Sequence, residues 1–333
     1  MHGFREYTVE ANGIRQHVTE AGEGPAILLC HGFPELGYSW RYQLRALAEA
    51  GYRAIAPDMR GYGRTTAPRG AEHYTIFHLT GDMVALLGAL GVAQAGIVGH
   101  DWGAPVAWTA AQLRPDLFPV VLGMSVPFAR RGSISSLDKL RRAGLDAFYQ
   151  LYFQTPDRAE RELEADVPAA MRRIMWTLSA GPASLWSGMI GAEGALAAFR
   201  EPEHAMPWLS DADLAHYSAA FGAAGFAGPL NWYRNIDRNW SLTAPLAGLS
   251  ITQPAWFIIG DRDPILPFVK PALDALPETV PGLLGTTVLP GVGHWVQQEA
   301  SDAVNAVLID FFDRTLRSKA DSRTARRGCR PEP

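Results

Sequence analysis

Along this chain, short unbroken apolar runs take turns with longer stretches in which apolar residues recur every three or four positions. The runs AILLC (26–30), RAIA (53–56), GIVG (96–99) and VVLGM (120–124) lack the alternation of a half-exposed strand. They therefore predict strands buried on both faces, the signature of a parallel sheet. Between them, SWRYQLRALAEAG and TGDMVALLGALG carry helical periodicity and stop at a glycine. Ahead of the first run, EYTVEANGIRQHVTE alternates around Asn12 and Gly13, two residues that tolerate positive φ, and predicts an antiparallel hairpin at the sheet edge.

From about Phe128 to Pro245 the strand series stops, and the text is rich in Ala, Arg, Trp and Tyr at helical spacing. Strand-helix alternation resumes at PAWFIIG (254–260), continues through TTVLP (286–290) and closes with a helix around AVNAVLIDFFDRTL. The expectation is an α/β core formed by 1–127 and 246–316, with a helical cap inserted at 128–245. The basic stretch 317–333 is expected to be a disordered, solvated extension without a function of its own.

Composition narrows the class. With 333 residues, 47% hydrophobic and 19% charged, the chain has the make-up of a water-soluble globular protein. No apolar run approaches the roughly 18 residues of a membrane span. The first residues, MHGFREYTVEANG, show no signal-peptide pattern, so a cytoplasmic address is the default expectation. The net charge of −4 gives no reason to expect nucleic acid. The two cysteines, Cys30 in an apolar run and Cys329 in the polar tail, do not suggest a disulfide. The nine histidines form no HxxxH or comparable close pattern, so no metal is expected.

The chemistry concentrates where strands end. GIVGHDWGAPVAW places Gly99, His100, Asp101, Trp102 and Gly103 between a buried strand and a helix, the G-x-S-x-G nucleophile-elbow pattern with Asp in the serine position. A carboxylate is ionised at neutral pH without a base and can displace at a saturated carbon, leaving an alkyl ester that water can cleave. A serine attacking the same carbon would leave an ether with no hydrolytic exit. Epoxides and alkyl halides are thus favoured over esters and amides. In CHGFPE, the loop after the first core strand offers the Phe33 amide, which together with the Trp102 amide is the expected oxyanion hole. His31 and His100 are expected to hold these loops. LPGVGHWVQQE puts His294 after the last strand as a candidate base, and IIGDRDPILP offers Asp261 and Asp263 as its orienting acid, of which Asp263 is preferred.

HGFPE, GHDWG, GDRDP and GVGHW together resemble the branch of the α/β-hydrolase superfamily that holds soluble epoxide hydrolases and haloalkane dehalogenases, over nearly the whole length to about Leu316. The resemblance implies an α/β-hydrolase fold with helices on both faces of a mostly parallel sheet. Epoxide hydrolases of this type carry two cap tyrosines that hydrogen-bond the epoxide oxygen. Similarity selects Tyr149 in AFYQLYFQTP and Tyr233 in GPLNWYRN, although spacing alone does not separate Tyr149 from Tyr152.

The implied reaction is a two-step hydrolysis of a small-molecule epoxide to a diol by water, without a cofactor, in a monomer or a homodimer. Asp101 would form the ester, the tyrosines would hold the leaving oxygen, and His294 with Asp263 would activate water. Phe33, Trp102, Tyr149 and Tyr233 would also line the substrate site. A haloalkane dehalogenase is the nearest rival, but its loop typically resembles HGNP, and position 33 here is Phe. A non-catalytic binding protein would be expected to show a damaged catalytic set, and an esterase would want Ser at 101.

Overall fold

A computed structural model describes residues 3–317. Eight strands form one sheet: β1 Arg5–Ala11, β2 Ile14–Ala21, β3 Ala26–Cys30, β4 Arg53–Pro57, β5 Ala95–His100, β6 Val121–Met124, β7 Ala255–Gly260 and β8 Leu283–Leu289. Their order is β1-β2-β4-β3-β5-β6-β7-β8. The hairpin β1–β2 turns at Asn12 (φ 52°) and Gly13 (φ 73°), the two residues singled out for that purpose. β2 pairs antiparallel with β4, and every pairing from β4 to β8 is parallel.

The apolar runs of β3 and β5 face two ways, as their lack of alternation requires. Leu28, Cys30 and Ile97 join the core beneath α2 (Ile76–Ala89) and α3 (Gly103–Leu113), with Leu79, Met83 and Ala107. Ile27, Leu29 and Val98 join the opposite core, filled by Leu44 and Leu47 of α1 (Arg41–Glu49) and by residues of the closing helix. β8 alternates between partly buried and exposed positions, unlike the inner strands. It starts at Leu283, ahead of the TTVLP run, and leaves Leu284 and Val288 exposed, because it is the sheet edge.

Between β6 and β7 lie α4 Ser136–Arg142, α5 Tyr149–Tyr152, α6 Arg158–Glu164, α7 Val167–Leu178, α8 Ala195–Ala198, α9 Asp211–Ala224, α10 Ala227–Arg234 and α11 Ile236–Leu242. The only strand-like pairing among the described residues of this stretch is one isolated bridge, Phe148 to Met189. Beyond β7 come α12 Leu266–Asp274 and α13 Leu276–Thr279, then, after β8, α14 Val296–Glu299 and α15 Ser301–Phe312. Val304, Leu308 and Phe311 seat α15 on the sheet.

α10 sits directly on the loop after β4. A side chain at Gly228 would lie 2.5 Å from the Gly61 carbonyl oxygen, and the Trp232 indole donates to the Arg60 carbonyl at 3.1 Å. Arg317 belongs to the end of the core rather than to the tail. It pairs with Asp313 at 2.9 Å and stacks 4.6 Å from the Tyr52 ring centre. The remaining tail, with Cys329, lies outside the described residues. Cys30 is a buried free thiol donating to the Met83 sulfur at 3.6 Å.

Candidate active site

Asp101 stands at the turn between β5 and α3 with φ 48°, a left-handed conformation that costs a residue other than glycine roughly 1–3 kcal/mol. The turn is tight enough to exclude side chains around it. A Cβ at Gly99 would meet the Gly103 carbonyl oxygen at 2.1 Å, and one at Gly103 would meet the Cys30 carbonyl oxygen at 2.0 Å. The elbow is thereby pressed against the end of β3, and the loop that follows β3 reaches the carboxylate. The Phe33 amide donates to Asp101 Oδ1 at 2.7 Å.

His294, in the loop after β8, turns Nδ1 to Asp263 (3.1 Å to Oδ1, 3.0 Å to Oδ2) and Nε2 toward Asp101 Oδ2 at 3.6 Å. Asp263 and His294 are buried, whereas the Asp101 side chain remains 16% exposed and is the member open to the cavity. Asp263 is itself fixed by the Ile265 amide, 3.0 Å from Oδ1. Asp261 is exposed and accepts from the Gly291 amide at 2.7 Å, a turn contact away from the imidazole.

The electrostatics follow from these contacts. Burial alone would lower the His294 pKa, but Asp263 and Asp101 outweigh it and hold the imidazole well above its ordinary value. Burial alone would raise that of Asp101, yet His294 and the Phe33 amide keep it below the ordinary 3.8. The resting site thus favours an imidazolium between two carboxylates.

Tyr149 of α5 and Tyr233 of α10 pack against each other, with ring centres 5.9 Å apart. Tyr233 packs edge-on against Trp102 (5.1 Å) and Phe33 (5.4 Å). Its backbone carbonyl accepts from Gln154 at 2.9 Å, and the Tyr149 amide donates to the Gly188 carbonyl at 2.8 Å. Burial, and then the charge of Asp101, push both phenols above their ordinary pKa, so both are neutral donors at any usual pH. Tyr152 points its hydroxyl elsewhere, to Glu162 at 2.6 Å, beneath the Arg158 guanidinium. A cavity of about 850 Å³ opens beside Asp101, Trp102 and Tyr149, walled by Phe128, Leu140, Phe148, Ile265 and Phe268. That volume lies within the range of small-molecule sites, which are mostly apolar with a few fixed polar groups.

His31 and His100 hold loops, as expected of them. The Met59 amide donates to His31 Nε2 at 2.9 Å, which leaves the His31 proton on Nδ1, facing the Gly32 carbonyl. His100 Nε2 donates to the His294 carbonyl at 2.8 Å, and Nδ1 meets Glu35 at 2.7 Å. Sequence reasoning gave no role to Glu35, although it lies within HGFPE. Its buried carboxylate accepts from Gln297 (2.8 Å) and Gln298 (2.9 Å) and so ties the loop after β3 to the His294 segment. The available signal was an acid and two amides beside motif residues; burial is what gives them meaning.

Residues 25–301 match the model of the alpha/beta hydrolase fold family. The chain is 44% identical over 314 residues to an epoxide hydrolase of Caballeronia sordidicola, covering 93% of this chain and 94% of that one. It is likewise 44% identical to epoxide hydrolase A of Mycobacterium tuberculosis, covering 92% and 97%. Among solved structures, epoxide hydrolase A from Mycobacterium thermoresistibile superposes with a TM-score of 0.88 at 45% identity, over 92% of this chain and 98% of that one. An epoxide hydrolase from an endophytic Streptomyces gives 0.90 at 43% identity, over 94% and 96%. The chain belongs to the alpha/beta hydrolase fold family and, within it, to the epoxide hydrolases.

Proposed function

We propose that this protein converts epoxides to vicinal diols through an ester on Asp101, with residues 128–245 acting as the cap that closes the site. The observation that carries the reading is the pairing of a carboxylate nucleophile, one oxygen already on an amide donor, with Tyr149 on the wall of the same apolar cavity and Tyr233 packed against both Tyr149 and Trp102. Asp101 Oδ2 is the attacking atom, because Oδ1 is engaged by the Phe33 amide. As the ring C–O bond breaks, Tyr149 and Tyr233 donate to the departing oxygen and spare a bare alkoxide.

Ester formation removes the charge on Asp101, one of the two carboxylates that hold the His294 pKa up. The imidazole then gives up its proton more readily, and the base becomes available once the ester exists. Neutral His294, its Nδ1 proton held by Asp263, takes a proton from water. The resulting hydroxide attacks the ester carbon, and the oxyanion forms on Oδ1, where the Phe33 amide already donates; the Trp102 amide is the second donor in this proposal. Collapse breaks the Cγ–Oδ2 bond, and the His294 imidazolium protonates the departing oxygen. The proton left on the Asp101 carboxyl returns through water to the phenol that protonated the ring oxygen, and the diol is released. Position 33 contributes only a backbone donor and an apolar ring here, which favours an epoxide oxygen over a halide as leaving group. The buried free thiol of Cys30 suits a cytoplasmic setting.

The test is diol formation from styrene oxide, a stilbene oxide and a fatty-acid epoxide, with halide release from 1-bromobutane followed in parallel. Diol that disappears in Asp101→Ala supports the proposal. Halide without diol points to a dehalogenase, and silence across the panel counts against the proposal and raises the reading as a binding protein.

A further inference from the structure

The loop that carries His294 is anchored on its outer side to the end of α7. The His294 amide donates to the Leu178 carbonyl at 2.9 Å and the Trp295 indole to the Met175 carbonyl at 2.8 Å. Gly293 is in direct contact with the residues after α7, since a Cβ there would lie 2.3 Å from the Ala180 nitrogen. Into this seam reaches the partly buried Glu299, the last residue of α14. Its Oε2 accepts from the Gly293 amide at 3.1 Å and the Ala180 amide at 2.9 Å, and its Oε1 accepts from the Trp295 amide at 3.0 Å.

One carboxylate thus gathers the amides on both sides of His294 together with one from the inserted helical stretch. We infer that Glu299 is a positioning residue for His294, clamping the base's loop to the end of α7 so that the imidazole keeps its station over the Asp101 ester. This rests on the proposed role of His294. Both oxygens are needed as acceptors. A glutamine would set its NH₂ against at least one of the three N–H groups, leaving a donor without a partner and the loop free to shift.

The ring-opening step needs only Asp101 and the tyrosines, so the clamp matters for water attack. In Glu299→Gln, rapid-quench intact-mass measurements with an accepted epoxide should show ester formation close to the wild-type rate. Ester hydrolysis should be slower by roughly 10- to 100-fold, the penalty typical of a base displaced by about 1 Å. The ester then accumulates in the steady state, and kcat and KM fall together. A residue that only supported the fold would lower the active fraction and leave the ratio of the two steps unchanged.

Should Glu299→Gln prove insoluble, Glu299→Asp keeps both oxygens but withdraws them by one methylene, and a smaller loss in the same step is expected. Equal loss in both steps, or none, overturns the inference. His294→Ala is measured alongside. If that variant accumulates no ester, the two-step reading itself fails; if it does and the Glu299 variants do not, only the role of Glu299 fails.

Discussion

Replacing Asp263 by Asn separates the two halves of the proposed reaction without changing the volume of a buried side chain. Asp263 Oδ1 accepts from the Ile265 amide at 3.0 Å, and His294 Nδ1 lies 3.0 Å from Oδ2. If Asn keeps its oxygen on Ile265, its NH₂ faces Nδ1, which must then accept. The proton moves to Nε2, the nitrogen that should take one from water. If Asn flips, the Ile265 bond is lost and a charge-assisted contact becomes a neutral one, a change of about 1.5–3 kcal/mol. The imidazolium formed during water attack also loses its counter-charge. At a charge separation near 4 Å and an effective dielectric of about 20 that attraction is roughly 4 kcal/mol, part of which the Asn dipole restores.

Together these place the barrier about 4–5 kcal/mol higher, a slowing of ester hydrolysis by roughly 10³- to 10⁴-fold. Ring opening by Asp101 involves no base and should stay near the wild-type rate. Quenched-flow mixing with an epoxide, followed by intact-mass analysis, should show close to one covalent adduct per chain, formed fast and lost slowly, with kcat equal to the rate of loss. A kcat within about threefold of wild type, or ring opening that falls in step with hydrolysis, refutes the assignment.

Tyr149→Phe and Tyr233→Phe should each slow ester formation, and the double variant should lose roughly 10²- to 10⁴-fold, the usual contribution of a positioned acid, with thermal unfolding little changed. Single-turnover adduct formation and a melting curve check both parts. Acidification should stop the second step before the first, because His294 must be neutral to act while Asp101 stays ionised below the ordinary 3.8. The ester should therefore build up as pH falls, measured as adduct fraction against pH. On the alkaline side ring opening should persist through pH 9, since burial holds both phenols protonated.

The local pattern determined a good part of this molecule. Strands β3 to β7 are legible because apolar runs without alternation have no stable place except inside a two-faced core, and Asn12 and Gly13 mark a turn that their positive φ values meet. β8 was caught only in its second half, because an edge strand exposes Leu284 and Val288 and Gly285 interrupts its apolar text. The elbow at Asp101 was legible too, since flanking glycines are what a turn with 2.0 Å approaches demands.

What the sequence left open turned on distances between segments far apart in the chain. Asp261 and Asp263 are alike as letters, and so are Tyr149 and Tyr152. Packing buries Asp263 against His294 and leaves Asp261 on a turn, and it sends Tyr152 to Glu162 while Tyr149 faces Tyr233. Glu35 and Glu299 were given no role from the sequence, and only the fold brings their carboxylates to donors on distant segments. Residue types are local, whereas desolvation and hydrogen-bond partnership belong to the folded chain, so only the tertiary structure decided which of these groups meet.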